Sequence, residues 1–204
     1  MLRRWSVLAL TLLLAACVGG STVAPGPSAR AVGDARRELA GVELAQTGRG
    51  TAANRAMTER AWRRVQPAVD EMCARFEAED CAYELVWSGE ATPNAYADGA
   101  KVYMFDGLVR YLDNEAQVAL VLAHEAAHNV AEHPAKGSRN TAVGMVAGAV
   151  LGGLLGAVID DSLATEGIAL GAAVGGTAGR LSYSKEYERE ADYVGAYIVD
   201  HAGY

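Results

Sequence analysis

From Asp34 to about Glu79 apolar residues recur at three- and four-residue steps, the period of an amphipathic helix. A first helical piece, Ala35 to Ala45, is cut by the breaker Gly48-Arg49-Gly50. A longer one starts at about Ala52, with Trp62, Val65, Val69, Met72 and Phe76 as its core stripe. Pro67 sits inside that stripe and predicts a kink or restart, because proline removes a backbone donor. The period then shortens to two. Tyr83 to Trp87 alternates and is rich in strand formers, Ser88 to Pro93 is a turn, and Asn94 to Tyr96 reads as a short edge strand. Asp98-Gly99 is a hairpin signal, and Lys101 to Phe105 is a further strand, so the pattern predicts a small, mostly antiparallel sheet.

Asp106 to Leu112 reads as a short helix or turn. Asn114 is a good N-cap for the next helix, with Gln117 as its capping-box partner. Val118, Leu120, Val121 and Leu122 make that helix apolar over most of its circumference, which predicts burial. Beyond His133-Pro134, Gly144, Gly148, Gly152 and Gly156 fall at four-residue spacing, as do Gly167, Gly171, Gly175 and Gly179. Each set is a small-residue stripe along one helix face, where two backbones can approach closely. With Asp160, Asp161 and Glu166 between them, the expectation is a glycine-rich helical hairpin over 141–180 with an acidic tip. Thr141 to Ile159 is 19 residues without a charge, long enough to reach across a bilayer, whereas Gly167 to Gly179 is 13 and too short alone. A last helix, Lys185 to about Asp200, puts Tyr187, Ala191, Val194 and Ile198 on one face, and Gly195 admits a close neighbour. The class is α+β, mainly helical, with a small antiparallel sheet.

Composition adds localisation and exclusions. Arg3 and Arg4, the apolar Trp5 to Leu13 and Leu14-Ala15-Ala16-Cys17 make residues 1–16 a signal peptide. The last four residues resemble a bacterial lipobox, in which Cys17 is lipidated. Val18 in place of Asp then suggests delivery to the outer membrane, with residues 17–33 as a flexible Gly/Pro/Ser-rich tether and 34–204 as the folded domain. In that oxidising compartment Cys73 and Cys81 pair as a disulfide, two buried thiols being the alternative. A formal charge of −7 argues against nucleic acid as a partner. The pattern leaves the oligomeric state open.

The chemistry concentrates at His124-Glu125-Ala126-Ala127-His128, an H-E-x-x-H on a buried helix. Residues four apart share a helix face, so His124 and His128 can converge on one metal ion, with Glu125 about 100° round the axis as a base. Buried histidines and a glutamate are costly unless paired or metal-bound. Zinc needs a third protein ligand. The familiar downstream glycine and histidine are replaced here by Ala131 and Pro134. Glu188 is the best remaining candidate, with Asp192 one turn on to accept the free N–H of a ligand histidine. On spacing alone Glu186, Glu188, Glu190 and Asp192 read equally as a solvated charged face.

Asn94-Ala95-Tyr96, Phe105-Asp106-Gly107-Leu108, Asn114-Glu115-Ala116, the H-E-x-x-H with His133, and Ser182-Tyr183-Ser184 followed by Glu188-Arg189-Glu190-Ala191-Asp192 occur in a telling order. It resembles the HtpX and CAAX-prenyl-protease type of zinc metallopeptidase (gluzincins), and most of all its soluble, lipid-anchored periplasmic members, over roughly residues 55–204. The resemblance implies a zincin-like domain binding one Zn2+ through His124, His128 and Glu188. It also implies Glu125 as general base, Asp192 behind a ligand histidine, and Asn94, Ala95 and Tyr96 pairing with substrate backbone as an added strand. Relatives continue through further helices beyond this C-terminus, so the resemblance implies a domain incomplete there and leaves the oxyanion donor unassigned. Tyr183, Tyr187 and His201 are the remaining candidates, and His133 reads as a capping or packing residue. The implied function is an endopeptidase for unfolded or misassembled proteins of the bacterial envelope. The alternative is a non-catalytic envelope lipoprotein, either a chaperone-like binder or a membrane-packing module.

Overall fold

A computed structural model describes residues 28–40, 45–159, 161–181 and 184–204. The leader, Cys17 and most of the tether lie outside the described residues, as do Ser182 and Tyr183. Among the described residues, one compact unit comprises those up to His133 together with Glu186–Tyr204, and a second comprises Pro134–Lys185.

In the first unit, helix α1 spans Ala29–Leu39, starting inside the stretch read as tether rather than at Ala35. Ser28 explains the shift, since its hydroxyl accepts from the Ala31 N–H at 3.1 Å as an N-cap. Helix α2, Thr51–Phe76, runs unbroken through Pro67, so the helix does not restart there. Its buried stripe (Met57, Ala61, Trp62, Val65, Ala68, Val69, Met72) continues on both sides of the proline, so packing outweighs one lost hydrogen bond. The helix ends at Glu77, left-handed at φ 54°, where the Ala78 N–H returns to the Cys73 carbonyl at 3.3 Å. A disulfide joins Cys73 to Cys81 across a Cα separation of 5.7 Å.

Strands β1 (Glu84–Ser88), β2 (Ala95–Ala97) and β3 (Lys101–Phe105) form one sheet in the order β1-β3-β2. The sheet is mixed rather than antiparallel: β3 runs parallel to β1 and antiparallel to β2. The segment after β1 crosses the end of β3 instead of folding back beside β1. It is held there by Gly107, whose N–H donates to the Glu90 carbonyl at 3.0 Å, and a Cβ at Gly107 would overlap the Ala91 backbone. Val102 and Met104 of β3 are fully buried. On the other face Tyr103 stacks on Tyr96 of β2, ring centroids 4.3 Å apart.

Helix α3 (Asp106–Val109) leads to α4 (Glu115–Val130). The Asn114 side chain accepts from the Gln117 N–H at 3.0 Å, while Gln117 Oε1 accepts from the Asp113 N–H at 2.6 Å. Arg49 gathers this corner, donating to the carbonyls of Val109, Leu112 and Asp113 and to Asn54. Asp106, fully buried, accepts from Asn54, Thr51 and Arg110. Burial alone would raise its carboxyl pKa, but the Asn54, Arg110 and Thr51 bonds outweigh it and hold the group below the usual range. The buried side of α4 is Val118, Ala119, Leu122, Ala123, Ala126, Ala127 and Val130, packed against α2 and the sheet. Leu120 is 49% exposed, so the helix is not buried all round as its composition suggested.

In the second unit α5 (His133–Ile159, whose first residue belongs to the first unit) and α6 (Ala164–Leu181) meet backbone to backbone. A Cβ at Gly144, Gly148 or Gly152 would overlap the carbonyls of Gly175, Gly171 and Gly167 respectively. Large apolar side chains, among them Leu151, Leu154, Leu155, Val158 and Ile168, are exposed. By length and composition α5 is able to cross a membrane. Helix α7 (Ser184–His201) returns the chain to the first unit.

Candidate metal centre

Glu188, Asp192 and Gly195 recur at helical spacing and so share one face of α7. Gly195 lets that face come down on α4: a Cβ there would lie 3.0 Å from both the Cα and N of His124. Two carboxylates one and two turns back then reach the α4 histidines. His124 Nε2 lies 3.2 Å from His128 Nε2 and 3.4 Å from Glu188 Oε2, and His128 Nε2 lies 3.7 Å from Glu188 Oε1. Four donors about 2.0–2.1 Å from a zinc ion stand roughly 3.3 Å from one another. The three side chains therefore fit one small tetrahedral ion, and their donor atoms all lie within 4.8 Å of each other. Burial, aided by His133 and His124, pushes the His128 pKa down to about 3, which keeps the ring neutral and able to ligate.

Asp192 Oδ1 stands 3.0 Å from His124 Nδ1, the nitrogen turned away from this cluster. Glu125, half-buried beside His124, has its pKa raised by burial and by Glu188, against the opposing pull of His124. A proton-accepting carboxylate held above its ordinary range is suited to general base work near neutrality.

Asn94 and Ala95 lie where β2 forms the edge of the sheet, and Tyr96 is 40% exposed. Phe105 N–H donates to the Asn94 carbonyl at 3.2 Å, so that edge is a continuation of the ladder. Asn129, the residue after His128, fastens the β2–β3 turn to α4: its Oδ1 accepts from the Gly99 N–H at 2.7 Å and its Nδ2 donates to the Lys101 carbonyl at 3.0 Å. Sequence reasoning passed over Asn129, although a polar residue on the buried side of an apolar helix is itself a signal.

His133 is buried, as the packing reading expects, and it also makes polar contacts: its Nδ1 lies 2.9 Å from His128 Nδ1 and its Nε2 3.0 Å from Glu190 Oε2. Glu190 is 2% exposed, so the acidic run of α7 is not one solvated face. Tyr187 is buried and stacked on His133, and His201 contacts the Tyr197 carbonyl one turn back.

Two helices presenting H-E-x-x-H and a glutamate to one point, beside a small sheet with an open edge, define a metallopeptidase domain. The model of peptidase family M48 matches residues 59–204, and the chain belongs to that family. Over 53 residues it is 43% identical to the mitochondrial metalloendopeptidase OMA1 of Schizosaccharomyces pombe, a stretch covering 26% of this chain and 16% of that protein. The matched region is a metallopeptidase-family domain, and the chain spans only a small part of the length of that relative.

Proposed function

We propose that this protein is a zinc endopeptidase that cuts extended segments of unfolded or misassembled envelope proteins, held to the membrane by a lipid on Cys17. The observation that carries the reading is the spacing of His124, His128 and Glu188, close to that of three corners of a zinc tetrahedron. When bound there, zinc supplies a Lewis acid that polarises the peptide carbonyl and acidifies water. Glu125 takes the proton from the attacking water and returns it to the leaving amine. Asp192 holds the Nδ1 proton of His124, fixing its tautomer. Asn94, Ala95 and Tyr96 offer an edge to which substrate backbone adds as a strand, which favours unfolded chains over any particular side chain. The likeness to a metalloendopeptidase supports internal cleavage, and the leader-like Leu14-Ala15-Ala16-Cys17 supports the envelope location.

Cleavage of casein by the purified protein tests this, with Glu125→Gln and a chelator as controls. Activity abolished in both is the expected result. A folded, zinc-loaded wild type that leaves casein intact refutes it in favour of a binder. The exposed apolar side chains of α5 and α6 favour a membrane-packing role for the hairpin in addition. Gly148→Leu, which forces the helices apart, then abolishes flotation of the unlipidated protein with vesicles.

A further inference from the structure

The two histidines of the centre are supported in different ways. His124 has a carboxylate directly behind it, Asp192 at 3.0 Å. Behind His128 stands another imidazole. His128 Nδ1 faces His133 Nδ1 at 2.9 Å, and His133 Nε2 faces Glu190 Oε2 at 3.0 Å. We infer that His133 and Glu190 are positioning residues for His128, setting its tautomer and ring orientation through a hydrogen-bonded relay; this rests on the zinc reading above.

The proton bookkeeping allows one arrangement. His128 turns Nε2 toward His124 and Glu188, so as a ligand it is deprotonated there and carries its proton on Nδ1. That proton is donated to His133 Nδ1, which must accept. The His133 proton is therefore on Nε2 and is donated to Glu190 Oε2. Each member dictates the next, and a fixed acceptor at the end holds the His128 proton on Nδ1 and its ring in place, as an acceptor directly behind a ligand histidine does.

Geometry locks the relay. The side chains of His133 and Glu190 are 3% and 2% exposed. Tyr187 stacks on His133 with centroids 4.5 Å apart and planes 20° from parallel, and the His133 and His128 rings stand 73° apart. Burying an imidazole and a carboxylate gains little stability over an apolar pair of the same volume. The pair is better explained by what it does to His128.

The test compares zinc affinity, by competition with a chromophoric chelator, and the absorption of the Co2+-loaded protein with the thermal midpoint. The variants are His133→Phe, Glu190→Gln and the double change His133→Phe with Glu190→Leu. His133→Phe is expected to weaken zinc binding about 10- to 100-fold and to alter the Co2+ spectrum. Glu190→Gln falls between it and wild type, since the amide oxygen still accepts from His133. The double variant replaces both polar side chains by apolar ones, so its midpoint recovers while zinc affinity stays low. Recovery of zinc affinity together with the midpoint overturns the inference and leaves a packing pair. A folded wild type that binds no zinc overturns the zinc reading itself, and the relay with it.

Discussion

Gly195→Ala adds one carbon at a close contact between α7 and α4. The new Cβ would lie 3.0 Å from His124 Cα, 3.0 Å from His124 N and 3.3 Å from Ala123 C, all of them backbone atoms that no rotamer change can move. Carbon atoms settle at about 3.5–4.0 Å, so α7 has to move outward by about half an ångström. Overpacking of this kind costs roughly 1–3 kcal/mol, or about 2–12 °C in melting temperature for a chain of this size. The site suffers more than the fold. Glu188 and Asp192 share the Gly195 face, and ligand distances tolerate only about 0.2 Å, so zinc affinity should fall about tenfold. Zinc competition and casein cleavage measure the site, and urea unfolding measures the fold. Gly195→Leu should extend the series in the same direction. If Gly195→Ala binds zinc and cleaves casein like wild type, then the close approach of the helices does not set the geometry of the centre, and the reasoning fails.

Asp106→Ala removes the acceptor shared by Asn54, Thr51 and Arg110 and should lower unfolding free energy by about 3 kcal/mol; a denaturant midpoint unchanged from wild type would contradict this. The metal-free protein should lose stability on acidification. His128 is held near 3 in the fold, while its unfolded value is about 6.5, so stability is complete above that value. It declines as the pH falls from there toward 3, by about 2 kcal/mol at pH 5. Glu125, raised by burial, titrates in the opposite sense, so Glu125→Gln should steepen the decline. Urea midpoints across this range in chelator check both statements, and a flat profile would refute them. Asn129→Ala frees the β2–β3 turn from α4 and should raise KM for casein several-fold while zinc affinity stays near wild type; a lowered kcat with unchanged KM would place Asn129 elsewhere in the mechanism.

What could be read from the chain was local or repeated. The His124–His128 spacing, the Asn114 cap and the strand at Lys101–Phe105 each depend on residues a few positions apart, and the structure has all three. Pairing of β1 with β3 depends on where Gly89–Pro93 crosses, a decision made at Gly107 that no alternation pattern records. The absence of a restart at Pro67 and the exposure of Leu120 have one reason: propensity and composition describe a helix by itself, while packing is settled by its neighbours. Glu190 shows the limit most clearly. It is one of four acids in seven residues, and only the fold separates it from Asp192, which is exposed.

Glu188 follows His128 by 60 residues, and the whole glycine-rich unit lies between them. A nascent chain thus exposes both histidines and Glu125 long before it possesses a third ligand. Bringing open chain ends of that separation together costs roughly 3.6 kcal/mol of entropy beyond a constant term. Zipping of α5 onto α6 shortens the span that has to be closed. The order of synthesis therefore means that the third candidate ligand joins the two histidines only after α7 has been made.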